Sequence, residues 1–274
     1  MRVEVLEPHG FCAGVTAAIR KAEELLATRD GAKVYCLHEL VHNELVVGAL
    51  RRRGMVFVDT LAEVPEGATV VFSAHGVSPA VRAEAVRRRL RVVDATCPFV
   101  EKVHRAVRDF AARGIPVRVI GNPDHAEVRG ILGEFEPREP VKGGPLGVVS
   151  QTTMNADEVA AEVLRLRREY AVETMAEVCN ATKLRQDAVK AFDGDALLVL
   201  GGVNSSNTAR LCEVSSCPRV FRAGSLAEVR AIDFAGVERL ALTSGASTPE
   251  DFFRTVFDYL GTLLNERAEG NEQT

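Results

Sequence analysis

The sequence predicts an α/β protein of three similar lobes, each with a small, mostly parallel sheet, arranged pseudo-threefold around one centre. Three observations predict it. Short apolar, β-branched runs alternate with helical stripes along the whole chain. Cys12 in GFCAGV, Cys97 in DATCPF and Cys179 in EVCNAT recur at nearly equal intervals, each beside the start of a helix-like segment. Polar motifs follow the strand-like runs, at the carboxyl edge where open α/β sheets bind ligands.

The first lobe is expected over 14–96. A short strand, Val3 to Leu6, precedes it and ends at EPHG, and Val15, Ile19, Ala22 and Leu26 share one face of the helix that follows Cys12. KVYCL reads as a strand leading into HELVHN and a second helix, and MVFV and ATVVFS as further strands, the last entering AHGVSP. There Ser78 suits an N-cap and Pro79 a first helical position.

The second lobe is expected over 97–178. RVVD precedes it as a strand, Pro98 opens a helix, Val100, Val103, Val107 and Phe110 form its stripe, and Gly114 ends it. VRVI then reads as a strand before GNPDHAEV, EPREPVKGGP as a loop, and GVVS as the strand delivering QTT. Asn155 caps the next helix, with Asp157 and Glu158 in its first turn. The third lobe combines 1–13 with 179–266: a helix from about Lys183 to Phe192, the strand ALLVL ending in GGVNSSN, and RLALT ending in SGAST. Thr248 and Pro249 start the last helix, and 267–274 reads as a disordered tail.

Composition narrows the function. With 46% hydrophobic and 26% charged residues the chain is ordinary for a globular protein. A formal charge of −4 gives no basic field for nucleic acid or a membrane surface, and no apolar run is long enough to span a bilayer. MRVEVLEPHG lacks a signal-peptide core, so a cytoplasmic location is expected, with the six cysteines as thiols or ligands and not disulfides. Cys36, Cys212 and Cys217 read as structural.

Three thiolates from distant segments suit zinc with an open position, or an iron–sulfur cluster; three unrelated buried thiols are the bland alternative. A cubane cluster normally takes four cysteines, so three leave one iron open as a Lewis acid. Helix starts, with their positive dipole ends, favour thiolates. His42, His75 and His125 each occupy a strand-end loop and suit an anion, whereas His9 and His104 read as structural. Ser205, Ser206 and Asn207 in NSSN and Ser247 in SGAS precede helix N-termini, natural phosphate sites. Glu127 and Thr152 are a candidate acid and hydroxyl for relaying protons. No P-loop or dinucleotide fingerprint occurs.

GFCAGV, HELVHN, FSAHGVS, DATCP, HAEV, SQTT, a cysteine before AT, NSSN and SGAS stand in this order from residue 8 to about 250. In these motifs the chain closely resembles the LytB/IspH family, reductases acting on an allylic hydroxy-diphosphate. The resemblance implies three lobes around a [4Fe–4S] cluster held by Cys12, Cys97 and Cys179. It also implies a diphosphate pocket at His42, His75, His125, Ser205, Ser206, Asn207 and Ser247, with Glu127 as proton-relay carboxylate and Thr152 near the substrate hydroxyl. The implied reaction is a two-electron reductive dehydroxylation, with electrons from a ferredoxin- or flavodoxin-type donor. Where the family often reads GHxxHPEV and ATTNRQ, this chain has GNPDHAEV and ATKLRQ, so Asn122, Ala126, Lys183 and Leu184 depart from its pattern.

Overall fold

The computed structural model describes residues 1–176 and 178–271. In chain order, β1 (Arg2–Val5), α1 (Ala13–Thr28), β2 (Val34–Leu37), α2 (Glu44–Arg52) and β3 (Met55–Val58) come first. They are followed by β4 (Thr69–Phe72), α3 (Pro79–Arg87), β5 (Arg91–Asp94), α4 (Pro98–Ala112), β6 (Val117–Ile120) and α5 (Ala126–Leu132). Next come β7 (Pro145–Ser150), α6 (Ala156–Leu166), β8 (Ala171–Ala176), α7 (Asn180–Ala191) and β9 (Ala196–Leu200). The last elements are α8 (Ser206–Glu213), β10 (Arg219–Ala223), α9 (Leu226–Arg230), β11 (Arg239–Ser244) and α10 (Glu250–Asn271).

Among the described residues the strands form three sheets, with orders β1-β11-β9-β10, β3-β2-β4-β5 and β6-β7-β8. Every pairing is parallel. The fold is α/β, as expected. Parallel strands covered on both faces require continuous apolar runs. The interior strands β2 (VYCL) and β9 (ALLVL) meet that demand, being buried at every residue. The edge strands β8 and β10, which sequence reading leaves unassigned, pair on one side only and carry Glu173, Arg219 and Arg222.

The chain divides into two compact units. One consists of 1–12, 42–46 and the chain from 180 onward, and it contains the β1-β11-β9-β10 sheet. Leu198, Leu200, Leu240, Leu242, Val256 and Leu260 lie at its core. The other consists of 13–41 and 47–179 and holds both remaining sheets. Within it α4 lays Val103, Val107 and Phe110 against Val149 and Ile131. α10 runs through Asn271. Residues 272–274 lie outside the described residues.

Phe110 is fully buried. Replacing it with Ala removes the ring from under β7 and should cost about 3–5 kcal/mol, read as a lowered urea midpoint.

Candidate functional site

Each of the three cysteines stands immediately before a helix: Cys12 before α1, Cys97 before α4 and Cys179 before α7. Cys97 is the N-cap of α4 in extended conformation, its side chain makes no capping bond, and Pro98 fixes the first helical residue. All three are partly exposed. Their backbones are held alike. The Cys97 N–H donates to Ala74 O at 3.0 Å, the Cys179 N–H to Thr152 O at 3.1 Å, and the Cys12 N–H to Ala246 O at 3.1 Å. Each acceptor is in a strand-end motif, SAHG, SQTT or SGAS, and each motif carries a candidate pocket residue. Among the described residues, no group of three or more His, Cys, Asp or Glu side chains is arranged to hold a metal ion.

In the unit of residues 13–41 and 47–179, the ends of β4, β6 and β7 bring His75, His125, Glu127 and Thr152 together. The His75 and His125 rings meet edge to face, centroids 5.6 Å apart at 88°. Ser73 Oγ lies 3.3 Å from His75 Nδ1. His125 is the N-cap of α5, and its Nδ1 accepts from the Glu127 N–H at 3.2 Å. An accepting Nδ1 places the ring proton on Nε2, which is then a donor. Glu127 is buried and held by Thr152 at both oxygens: Thr152 N donates to Oε1 at 2.7 Å and Thr152 Oγ1 to Oε2 at 3.0 Å. Burial pushes the Glu127 carboxyl up to about 7, against the lowering effect of the two Thr152 bonds. A carboxyl poised near neutral pH and bonded to a hydroxyl can exchange a proton with it.

In the unit containing the β1-β11-β9-β10 sheet, β9 and β11 deliver NSSN and SGAS. Ser205 caps α8 by accepting from Thr208 N at 3.2 Å, which leaves its own O–H available as a donor. Asn207 is a strut: Oδ1 accepts from Ala246 N at 3.1 Å, and Nδ2 donates to Thr182 Oγ1 at 3.2 Å. Ser247 Oγ donates to His42 O at 3.0 Å. The start of α8 fits closely beneath two turns. A Cβ on Gly201 or on Gly245 would come within 2.2 Å of Thr208 Oγ1, so both positions exclude any side chain. Ser206 opens α8 and is half-buried.

Cys36, Cys212, His104 and His9 sit in buried or packed surroundings. Burial pushes the Cys36 thiol up to about 12 and also raises Cys212. His104 is buried with Nδ1 2.6 Å from Glu134 Oε1, and His9 stacks on Phe253 at 3.8 Å. The departure at Asn122 builds the turn before His125. Its Oδ1 accepts from Asp124 N at 3.0 Å and its carbonyl from His125 N at 3.0 Å. Ala126 is the first residue of α5, and Leu184 points its side chain largely to solvent, 48% exposed. Sequence reading missed Gln151, fully buried, which accepts from Asn122 N and donates to Thr153 Oγ1. It also missed Thr208 and Arg185. Gln151 lies within SQTT and Arg185 within ATKLRQ, but only their burial singles them out.

Residues 3–261 match the family described as LytB protein. A 4-hydroxy-3-methylbut-2-enyl diphosphate reductase of Nocardia farcinica is 43% identical, over 94% of this chain and 83% of the relative. One from Acidithiobacillus ferrooxidans is 40% identical, over 100% of this chain and 94% of its own length. Among solved structures, the Plasmodium falciparum E-1-hydroxy-2-methyl-but-2-enyl-4-diphosphate reductase superposes with a TM-score of 0.87 at 31% identity, covering 94% of this chain and 87% of that one. A second, described as the terminal enzyme of the non-mevalonate pathway, gives 0.68 at 33% identity, covering 95% and 99%.

The raised carboxyl has a signed effect on stability. Glu127 keeps its proton to about pH 7 when folded, against 4.5 for the ordinary carboxyl. The folded chain therefore binds more protons than the unfolded chain between these values. This contribution is complete below pH 4.5 and is lost as pH rises towards 7, by an amount on the order of 3 kcal/mol. Urea unfolding at pH 5 and 7.5 should show this decline in the native chain, and Glu127→Gln should flatten it.

Proposed function

The chain belongs to the LytB protein family, and on that premise we propose that it reduces (E)-4-hydroxy-3-methylbut-2-enyl diphosphate to isopentenyl and dimethylallyl diphosphate. The conversion takes up two electrons and two protons and releases water, and it is the last step of the methylerythritol phosphate isoprenoid route. The observation that carries this reading is the buried Glu127 carboxyl, raised to about 7 and bonded at both oxygens to Thr152, whose carbonyl anchors Cys179.

Cys12, Cys97 and Cys179 are assigned as ligands of a [4Fe–4S] cluster. Their chemistry fits it: three partly exposed thiols, each directly preceding a helix, whereas burial raises the thiols of Cys36 and Cys212. When bound, the cluster supplies electrons and one Lewis-acidic iron that no cysteine holds. The diphosphate is assigned to His42, His75, His125, Ser205, Ser206, Asn207 and Ser247. His125 donates from Nε2, because Nδ1 is engaged by the Glu127 N–H. Ser205 donates its hydroxyl, and Asn207 its second Nδ2 hydrogen, the first being held by Thr182. Ser247 must release the His42 carbonyl before its O–H can reach a phosphate oxygen. Thr152 positions the substrate hydroxyl, and Glu127 passes protons through the 3.0 Å contact with Thr152 Oγ1.

Electrons come from an external carrier of the ferredoxin or flavodoxin type, and the location assigned is cytoplasmic. Among the described residues no helix is long and apolar enough to cross a membrane.

Iron, sulfide and zinc analysis of anaerobically prepared protein tests the cofactor assignment. A brown protein with iron and sulfide is expected; colourless protein with stoichiometric zinc would overturn it. In Glu127→Gln the cluster should remain while turnover with a reduced dye falls about 10²–10⁴-fold. Full turnover in that variant would reject the proton-relay role.

A further inference from the structure

Arg185 lies in α7, six residues after Cys179, and is only 3% exposed. A guanidinium cannot be deprotonated at any physiological pH, so burying one is costly unless its donors are engaged. Three hydrogen bonds from it run to main-chain carbonyls. Nη1 donates to Ala181 O at 2.9 Å, and Nη2 to Gly10 O at 2.8 Å, with His9 O longer at 3.5 Å. Ala181 stands two residues after Cys179, and Gly10 two residues before Cys12. One planar fork therefore joins the segment leaving one candidate ligand to the segment entering another.

The Gly10–Cys12 segment is gripped from its other side as well. The Gly10 N–H donates to Ser244 Oγ at 2.8 Å and the Cys12 N–H to Ala246 O at 3.1 Å. Ala246 N donates to Asn207 Oδ1, and Asn207 Nδ2 to Thr182 Oγ1, which lies on α7 beside Ala181. Arg185 thus closes a ring of hydrogen bonds running from Gly10 through β11, Asn207 and Thr182 back to itself. With Arg185 removed, the Cys12 segment keeps its bonds to Ser244 and Ala246 and loses this tie to α7.

We infer that Arg185 is a positioning residue, fixing the Cys12 segment against the start of α7 so that the thiols on either side are presented in register to the iron–sulfur group. The inference rests on the cluster assignment above. It requires the fork itself and not merely a buried charge: a lysine ammonium is a compact point charge on a flexible stem and cannot reproduce the rigid two-nitrogen bridge.

The test compares wild type, Arg185→Lys and Arg185→Met after anaerobic reconstitution, with circular dichroism reporting the fold. Iron release to a chelator should be about ten-fold faster in both variants, the scale expected when a group orienting a ligand is removed. The electron paramagnetic resonance signature of the reduced cluster should shift, which general loss of stability would not cause. Release within two-fold of wild type, with an unchanged signature, would overturn the inference. So would full recovery in Arg185→Lys, which would make the role one of charge alone. Wild type that takes up no iron and sulfide overturns the cluster reading and this inference with it, an outcome distinct from a loaded wild type and equally loaded variants. If Arg185→Met does not fold, Arg185→Lys, which retains the charge and most of the side-chain volume, decides the question.

Discussion

The site depends on one backbone hydrogen bond made three times: the N–H of each of Cys12, Cys97 and Cys179 donates to a carbonyl in a loop at the carboxyl end of a strand. A cysteine at the residue before a helix has a backbone that the helix does not satisfy, so another element must take it up. Here the acceptors are Ala74, Thr152 and Ala246, each within one residue of a pocket candidate or that candidate itself. The thiols are therefore not placed by their own helices alone. They are indexed to the loops that carry His75, Thr152 and Ser247, and those loops are set by buried parallel strands.

That dependence explains why the interior strands are so apolar. β9 has no polar side chain, and the inner part of β7 is buried throughout. A register shift of one residue would exchange the two faces of a strand and re-aim the loop beyond it. The rigidity of the sheets is what lets a loop residue such as Thr152 hold a carboxyl at 2.7 and 3.0 Å with two different groups. Closely fitted turns add to this, as where Gly201 and Gly245 close on Thr208.

Much of this was legible in the sequence, and the limits have physical causes. Interior strands announce themselves as continuous β-branched and leucine runs, and the motifs at their ends follow from topology. β8 and β10 escaped because an edge strand bonded on one side tolerates Glu173 or Arg222 and so loses the apolar signature. The candidate histidines, serines and cysteines were readable as residue types in strand-end loops. What each polar atom already does was not. That Asn207 has Oδ1 on Ala246 and one Nδ2 hydrogen on Thr182, or that Ser247 holds the His42 carbonyl, depends on residues 25, 39 and 205 positions away. Sequence spacing carries no trace of such pairings. Arg185 shows the same limit, since a guanidinium in a polar helix reads as solvated until its burial is known.

His125 and Glu127 share a main-chain contact: the amide that begins the acid is the one the imidazole caps. The ring and the carboxyl are therefore not independent parts. A substitution that turns the ring removes the acceptor of the Glu127 amide and loosens the start of α5, which carries the carboxyl. Effects of substitutions at His125 are therefore expected to reach Glu127, the kind of coupling that makes neighbouring mutations non-additive. The coupling acts through three consecutive residues of backbone and needs no contact between the side chains.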